Sequence, residues 1–314
     1  MKKTVTVFSA TGVAGKACVD ELIRQGHFRI KVLSRKQGQQ EKSSFRPTRG
    51  DKEKQLLLDA WHKQGVEIVP ADVTDHADLI PALRGTDYLV SCAPMLATEA
   101  QYALIWAAKE AGVERFVPSE YGFIYEWEQF WPTDTIHRTI ARQKVFVRRV
   151  IELAGLDYTI IPAGLWPEFY LAEPVQVMGD GEQKIAWSCG EDVGRIIPHI
   201  LAHPDSRNAV CPVAATAYCS WNALLNEGEK ALGRRIERHY LDSAAWKAAY
   251  EQEQDRATKM HLAIGVAATE CPEGMPLWAN WNKLHLPDFQ GTSMPSFFSE
   301  VMKTFVEDMR REST

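Results

Sequence analysis

Several things that would assign this chain to a class are missing from it. None of its six cysteines (Cys18, Cys92, Cys189, Cys211, Cys219, Cys271) forms a C-x-x-C pair, which argues against a zinc site and a disulfide framework and for reduced, mostly buried thiols. No apolar run approaches the roughly 20 residues of a membrane span. An excess of basic charge is absent too: the formal net charge is -5 and the charges do not collect in runs, so nucleic acid is not an expected partner. The first strand starts by residue 4, leaving no room for a charged and then apolar leader, and a cytoplasmic location is the expectation. There is no internal repeat or low-complexity tract. What remains is the composition of an ordinary folded enzyme, 45% hydrophobic and 25% charged over 314 residues.

Strand-like runs at Thr4 to Ser9, Ile30 to Ser34, Val66 to Pro70, Tyr88 to Ala93, Arg115 to Pro118 and Tyr158 to Pro162 alternate with segments of helical periodicity such as "VAGKACVDELIRQG", "KEKQLLLDAWHKQG" and "EAQYALIWAAKEAGV". Gly26, Gly65 and Gly112 follow the three helices where a left-handed residue is wanted. Short apolar strands between amphipathic helices predict a Rossmann-type α/β fold, a doubly wound parallel sheet covered on both faces, over residues 1–162. Residues 163–314 are expected to build a smaller α/β substrate-binding region, with some segments returning to the first. There Trp166 to Met178, Trp246 to Ala268 and Pro276 to Phe298 read as irregular or helical pieces.

The stretch "VFSATGVAG" follows the first strand and opens a helix, the context in which a glycine turn cradles a pyrophosphate. Gly12 and Gly15 keep the spacing of its second and third glycines, and Ser9 stands at the first. At negative φ a serine costs little there, and its hydroxyl could donate to a phosphate. Ser9, Ala10, Thr11, Gly12, Val13 and Gly15 are therefore cofactor candidates. The second strand ends in "VLSRKQ": where a carboxylate would take the ribose hydroxyls, Ser34, Arg35 and Lys36 suit a 2′-phosphate, so NADP(H) is the expected cofactor. Asp72, in "ADVTD", would lie near the adenine or merely cap the next helix, a role that Thr74 or Asp75 also suits.

"SATGVAGK", "SRK", "RFVPSEYG" and "GDGEQKIAWSCGEDVG" together resemble the NmrA-like branch of the atypical short-chain dehydrogenases, close to the isoflavone reductase and phenylcoumaran benzylic ether reductase group. The resemblance covers roughly residues 3 to 245 and is strongest over the first 165. Its departure is Ser9, where relatives carry glycine. An ordinary short-chain dehydrogenase needs Tyr and Lys four apart, but four residues before Lys144 stands Ile140. The resemblance implies that Lys144 works without that tyrosine, beside the nicotinamide and ribose. It also implies cofactor contacts at Ala93 and Pro94 and along Ala163, Gly164 and Leu165, with Trp166, Glu168 and Phe169 facing the substrate.

"PSEYGF" ends the fifth strand at the edge where open α/β sheets bind ligands, which brings Glu120 forward as a second catalytic candidate and Tyr121 as a substrate contact. A structural ion pair is the competing role for Glu120. Tyr125, Glu126, Trp127, Trp131 and His137, in an aromatic and acidic stretch, are candidate pocket residues, and the ten tryptophans favour a flat aromatic ligand. The expected activity is NADPH-dependent reduction of a C=C, C=N or C=O bond, or of a benzylic ether carbon, in an aromatic or alkaloid-like metabolite. A non-redox, NADP-bound enzyme that forms an imine or closes a ring, and an NADP(H)-sensing regulator without turnover, are the alternatives. A small aromatic molecule is the expected partner, a homodimer is left open, and no metal site is expected.

Overall fold

The first six strand-like runs become strands of one parallel sheet. In a computed structural model that describes residues 2–36, 50–125, 136–171, 173–270 and 280–301, the chain runs β1 (Thr4–Phe8), α1 (Val13–Gln25), β2 (Arg29–Ser34), α2 (Asp51–Lys63), β3 (Glu67–Pro70), α3 (His76–Leu83), β4 (Tyr88–Ser91), α4 (Ala100–Ala111), β5 (Arg115–Val117), α5 (Ile136–Ala154) and β6 (Asp157–Ile160). It continues through β7 (Val175–Met178), β8 (Lys184–Trp187), α6 (Gly190–Ala202), β9 (Ala209–Val210), β10 (Ala217–Ser220), α7 (Trp221–Leu232), β11 (Arg238–Leu241), α8 (Ser243–Gln252), α9 (Arg256–Glu270) and α10 (Trp281–His285). Gly26, Gly65 and Gly112 take φ of +63°, +86° and +79° after their helices.

The chain divides into two compact units. The first comprises Met1–Glu120, Gln143–Ile161 and Gly190–Cys211. Among its described residues, seven strands pair in the order β3-β2-β1-β4-β5-β6-β9, parallel at every junction. The order reverses between β1 and β4, and their carboxyl ends are where a doubly wound sheet opens a crevice. Leu79, Leu104, Ile105, Val147 and Ile151, from α3, α4 and α5, pack on Leu33, Leu89 and Phe116 of the sheet. Elsewhere in the unit, α6 returns to pack on α1, where Gly194 permits the approach: a Cβ on it would stand 2.1 Å from the Ala14 carbonyl oxygen. Trp61 of α2 is buried and donates its Nε1 to Asp20 of α1 at 2.8 Å.

At the opposite, amino edge of this sheet, α1, α2 and α3 end around a cavity of about 530 Å³. Helix ends carry unpaired carbonyls and partial negative charge, and cations meet them: Lys2 donates to Gly26 O at 2.6 Å, and Lys31 to Ala82 O and Arg84 O at 3.0 Å each.

The second unit comprises Tyr121–Arg142, Pro162–Cys189 and Pro212–Thr314. Here the expectation of an irregular or helical Trp166 to Met178 needs correction at its end. Val175–Met178 is a strand, paired in parallel with β11, and β8 pairs antiparallel with β10. Four-residue strands such as "VQVM" and "KIAW" are too short to show a period of two against a helical one. The Trp246 to Ala268 stretch is helical as read, in α8 and α9, with Gly265 against the Trp246 ring. No helix among the described residues is long and apolar enough to cross a membrane. Cys18, Cys92, Cys189, Cys211 and Cys219 are thiols, not halves of disulfides, and Cys271 lies outside the described residues.

Candidate active site

In the first unit the candidates gather along the carboxyl edge of the sheet. The glycine turn is built by contacts that each residue makes with the next. Gly12 caps α1 with φ -70° and donates its N–H to Ser9 O at 3.3 Å. Gly15 is obligatory for the chain itself, because a Cβ there would lie 2.4 Å from Ser9 O and 2.7 Å from Ala10 Cα. Gly12 is different. A Cβ on it would meet only Ser9 O, at an ordinary 3.5 Å, so neither backbone angle nor internal packing demands glycine. What its missing side chain leaves open is the approach to the amino terminus of α1, whose first turn carries no acidic residue. That fits a pyrophosphate laid against backbone N–H groups.

Ser9 does not meet the condition under which serine is cheap. Its φ is +56°, in the left-handed region that costs a residue with a Cβ about 1–2 kcal/mol. The turn keeps the conformation a glycine would take, and serine carries the strain.

Ser34 ends β2 half-buried, followed by exposed Arg35 and Lys36. Lys36 forms an ion pair with Asp78 at 2.7 Å, which raises the pKa of its ammonium. Asp72 is turned to its own loop, accepting from Thr74 N at 2.8 Å and Thr74 Oγ1 at 2.7 Å, which holds its carboxyl below the usual range. The helix cap proper is Asp75, which accepts from Ala77 N. Next along the edge, Cys92 N donates to Phe8 O, bringing Ala93 and Pro94 beside the turn.

Beyond them Ser119 is fixed on three sides. Its N–H donates to Gln101 Oε1 at 2.8 Å, its Oγ donates to Ala93 O at 2.7 Å, and its carbonyl accepts from Lys144 Nζ at 2.7 Å. Lys144 lies on the face of α5 that also buries Ile140, Val147 and Ile151, and is only 4% exposed. Burial pulls its pKa down to about 8, with Glu120 opposing and Arg148 reinforcing the shift. Glu120 is fully buried and takes the ion-pair role: Arg148 donates Nε to its Oε2 at 2.7 Å and to its Oε1 at 3.0 Å, and Nη2 to its Oε2. Arg148 is a site residue that the motifs do not mark. Its signal in the sequence is its place one helical turn after Lys144 on the same face.

The remaining candidates belong to the second unit. Ala163 N and Gly164 N both donate to Gly122 O at 2.9 Å, while the Tyr125 hydroxyl occupies the place of a Gly122 side chain. Gly164 takes φ +75°, with Ala186 O 2.1 Å from where its Cβ would be, and Leu165 bonds on to Ala186 and Ser188. Trp166 donates Nε1 to Tyr121 O at 2.9 Å and stacks on Phe169 at 5.9 Å between centroids. Glu168 between them is buried. The aromatic wall extends to residues the sequence did not single out: His261 of α9 packs against Phe169 and Tyr170 at 5.3 and 5.5 Å, and Tyr170 meets Trp221 edge-on. Burial lowers the His261 pKa to about 4, so its imidazole is neutral at physiological pH. Glu126, Trp127 and Trp131 lie outside the described residues, as does the side chain of His137.

A profile of the NmrA-like family matches residues 1–265. Isoflavone reductase of Medicago sativa is 26% identical over 252 residues, 76% of this chain and 78% of that protein. Phenylcoumaran benzylic ether reductase TP7 of Nicotiana tabacum is 26% identical over 256 residues, with the same coverage of 76% and 78%. Among solved structures, AtPrR2 with NADP+ and (+)pinoresinol superposes with a TM-score of 0.81 at 22% identity, covering 96% of this chain and 99% of the other. That last likeness is one of fold.

Proposed function

The chain belongs to the NmrA-like family, and on that premise we propose that it is an NADP(H)-dependent reductase of the isoflavone reductase type acting on a small aromatic metabolite, phenylpropanoid- or alkaloid-like, with Lys144 as its proton donor. The observation that carries the reading is the Lys144 amine, buried at the carboxyl edge of β5, held by the Ser119 carbonyl and poised at a pKa of about 8.

The open approach at Gly12 and the amino terminus of α1 would hold the pyrophosphate, Ser34 and Arg35 the 2′-phosphate, and Ala93 and Pro94 the edge beside it. When bound, NADPH supplies the hydride. Reduction of a C=C, C=N or C=O bond then needs one proton on the partner atom, and reductive opening of a benzylic ether needs one on the leaving oxygen. An amine with a pKa near 8 is mostly protonated at neutral pH yet gives its proton up far more readily than an ordinary lysine, which suits general-acid work. Ile140 holds the place a catalytic tyrosine would occupy and is buried apolar, so proton transfer falls to the lysine. In the second unit the stacked Trp166 and Phe169, with neutral His261 beside them, offer a flat apolar wall to an aromatic ring.

The test is a screen of aromatic enones, imines, carbonyls and benzylic ethers with NADPH, following loss of the reduced cofactor's absorbance and product mass. A product heavier by two hydrogens, formed in step with NADPH oxidation and slowed by about a hundredfold or more in Lys144→Ala, is the expected result. Product formed with no net oxidation would replace this reading with imine formation or ring closure. Tight NADPH binding with no product would replace it with a sensor.

A further inference from the structure

Lys144 does not stand alone on its helix face. Arg148 follows it by one turn, so the two side chains are neighbours, and both are at least nine-tenths buried. The guanidinium is not directed at the lysine but at Glu120, which it clamps through three hydrogen bonds. Glu120 directly follows Ser119, whose carbonyl accepts the Lys144 hydrogen bond, and the Glu120 N–H closes a tight turn onto Pro118 O at 2.8 Å. One ion pair therefore adds an anchor next to the backbone that holds the lysine, beside Gln101 and Ala93, which fix Ser119 through its N–H and hydroxyl.

A buried ion pair is a poor means of stabilisation, since its desolvation often exceeds what an apolar pair of the same volume would cost. Its effect on a third charge is another matter. Among the described residues, the charged groups that shift Lys144 are Glu120, just beyond the end of β5, and Arg148, on α5 itself; the neutral Gln101 of α4 reaches it through Ser119. With the lysine protonated the three groups sum to one positive charge, and with it neutral they sum to zero. Were Arg148 absent, the Glu120 carboxylate would be left to pair with the ammonium and hold it charged.

We propose that Arg148 is a positioning residue for Lys144: its clamp on Glu120 fixes the Ser119–Glu120 turn and keeps the carboxylate from capturing the lysine as its own ion-pair partner. This rests on the reading of Lys144 as the proton donor, but the arrangement is tested without any substrate.

The experiment is a titration of the full-length protein carrying lysine labelled with carbon-13 at the ε position, followed by NMR, with the Lys144 signal assigned by its loss in Lys144→Arg. The wild-type midpoint is expected at about 8. Arg148→Met is expected to raise it by about one pH unit or more, and Glu120→Gln to lower it, since an opposite charge within a few ångströms shifts a pKa by about 1–3 units. Arg148→Lys, which keeps the charge and loses the fork, is expected to recover most of the wild-type value. Opposite shifts in the first two variants support the proposal. Shifts of the same sign, or none, overturn it, because loss of packing alone has no reason to move the midpoint in opposite directions. Should Arg148→Met fail to give a native circular dichroism spectrum, Glu120→Gln and Arg148→Lys decide: an unmoved midpoint in Glu120→Gln overturns the proposal. Turnover in Lys144→Ala, measured separately, tests the reading of the lysine itself, so either can fail without the other.

Discussion

Alanine at Gly12 and alanine at Gly15 should have opposite consequences, although both place one methyl group in the same turn. At Gly15 the new Cβ would lie 2.4 Å from Ser9 O and 2.7 Å from Ala10 Cα. Both are backbone atoms, so no side chain can swing away, and α1 must shift off β1. Overpacking of this kind costs about 1–3 kcal/mol, which for a chain of this size lowers Tm by roughly 2–5 °C. At Gly12 the Cβ meets only Ser9 O at 3.5 Å and φ is already -70°, so stability should change by less than about 1 kcal/mol. The methyl group would instead stand over the N–H groups of the first helical turn, where a pyrophosphate would approach. An affinity loss of about tenfold or more, equivalent to ~1.4 kcal/mol, is expected for NADPH. Thermal unfolding without cofactor and a fluorescence titration with NADPH read the two effects separately. A Gly12→Ala protein that folds normally and binds NADPH like the wild type would refute the assignment of this turn as the cradle. A Gly15→Ala protein of unchanged Tm would refute the packing argument.

Ser9→Gly should relieve the left-handed strain at φ +56° and, after the added freedom of the unfolded chain, stabilise by up to about 1 kcal/mol in thermal unfolding; a loss of stability would mean the hydroxyl contributes more than the strain costs. Arg35→Glu should weaken NADPH binding well over tenfold while leaving NADH nearly untouched, and equal weakening of both would remove the 2′-phosphate argument. Glu21 of α1 is buried, which alone would raise its pKa, yet hydrogen bonds from Arg24, Gln25 and His199 hold it at about 2. A depressed carboxyl stabilises the fold above its unfolded pKa and loses that contribution as pH falls. Between about pH 4.5 and 2 the protein should therefore lose about 3 kcal/mol, and Glu21→Gln should flatten that limb in denaturant titrations. A Lys144→Met protein should lack an alkaline gain that the wild type shows in denaturant titrations: the burial that lowers this lysine to about 8 makes the wild type gain stability as pH rises from there toward 10, and an equal gain in the variant would refute the assignment.

How much of this was legible in the sequence follows from the range of each interaction. Most of the sheet was legible because its first six strands are short apolar runs set between amphipathic helices, with Gly26 and Gly112 marking helix ends by a property of their own residue; β9, two residues long, carries no such signal. The conformation of Ser9 was not. Its φ is imposed by the need to bring Gly12 N to Ser9 O while Gly15 sits against the same carbonyl, and a serine code letter is silent about that. Likewise "PSEYG" advertised a carboxylate at the crevice, but whether Glu120 faces a substrate or an arginine depends on α5, which follows β5 in the chain only after the intervening 121–135 stretch. The i, i+4 relation of Lys144 and Arg148 was written plainly, and only the partner was hidden. His261 shows the limit case: in "HLAIGVA" it looks like a helix residue among apolar neighbours, and it joins Phe169 and Tyr170 only through long-range packing within the second unit. Local chemistry is thus readable where one element supplies it, and becomes ambiguous wherever two distant elements share a charge or a ring face. Lys144 was singled out by the family resemblance of its helix, and the arginine that sets its environment required the fold.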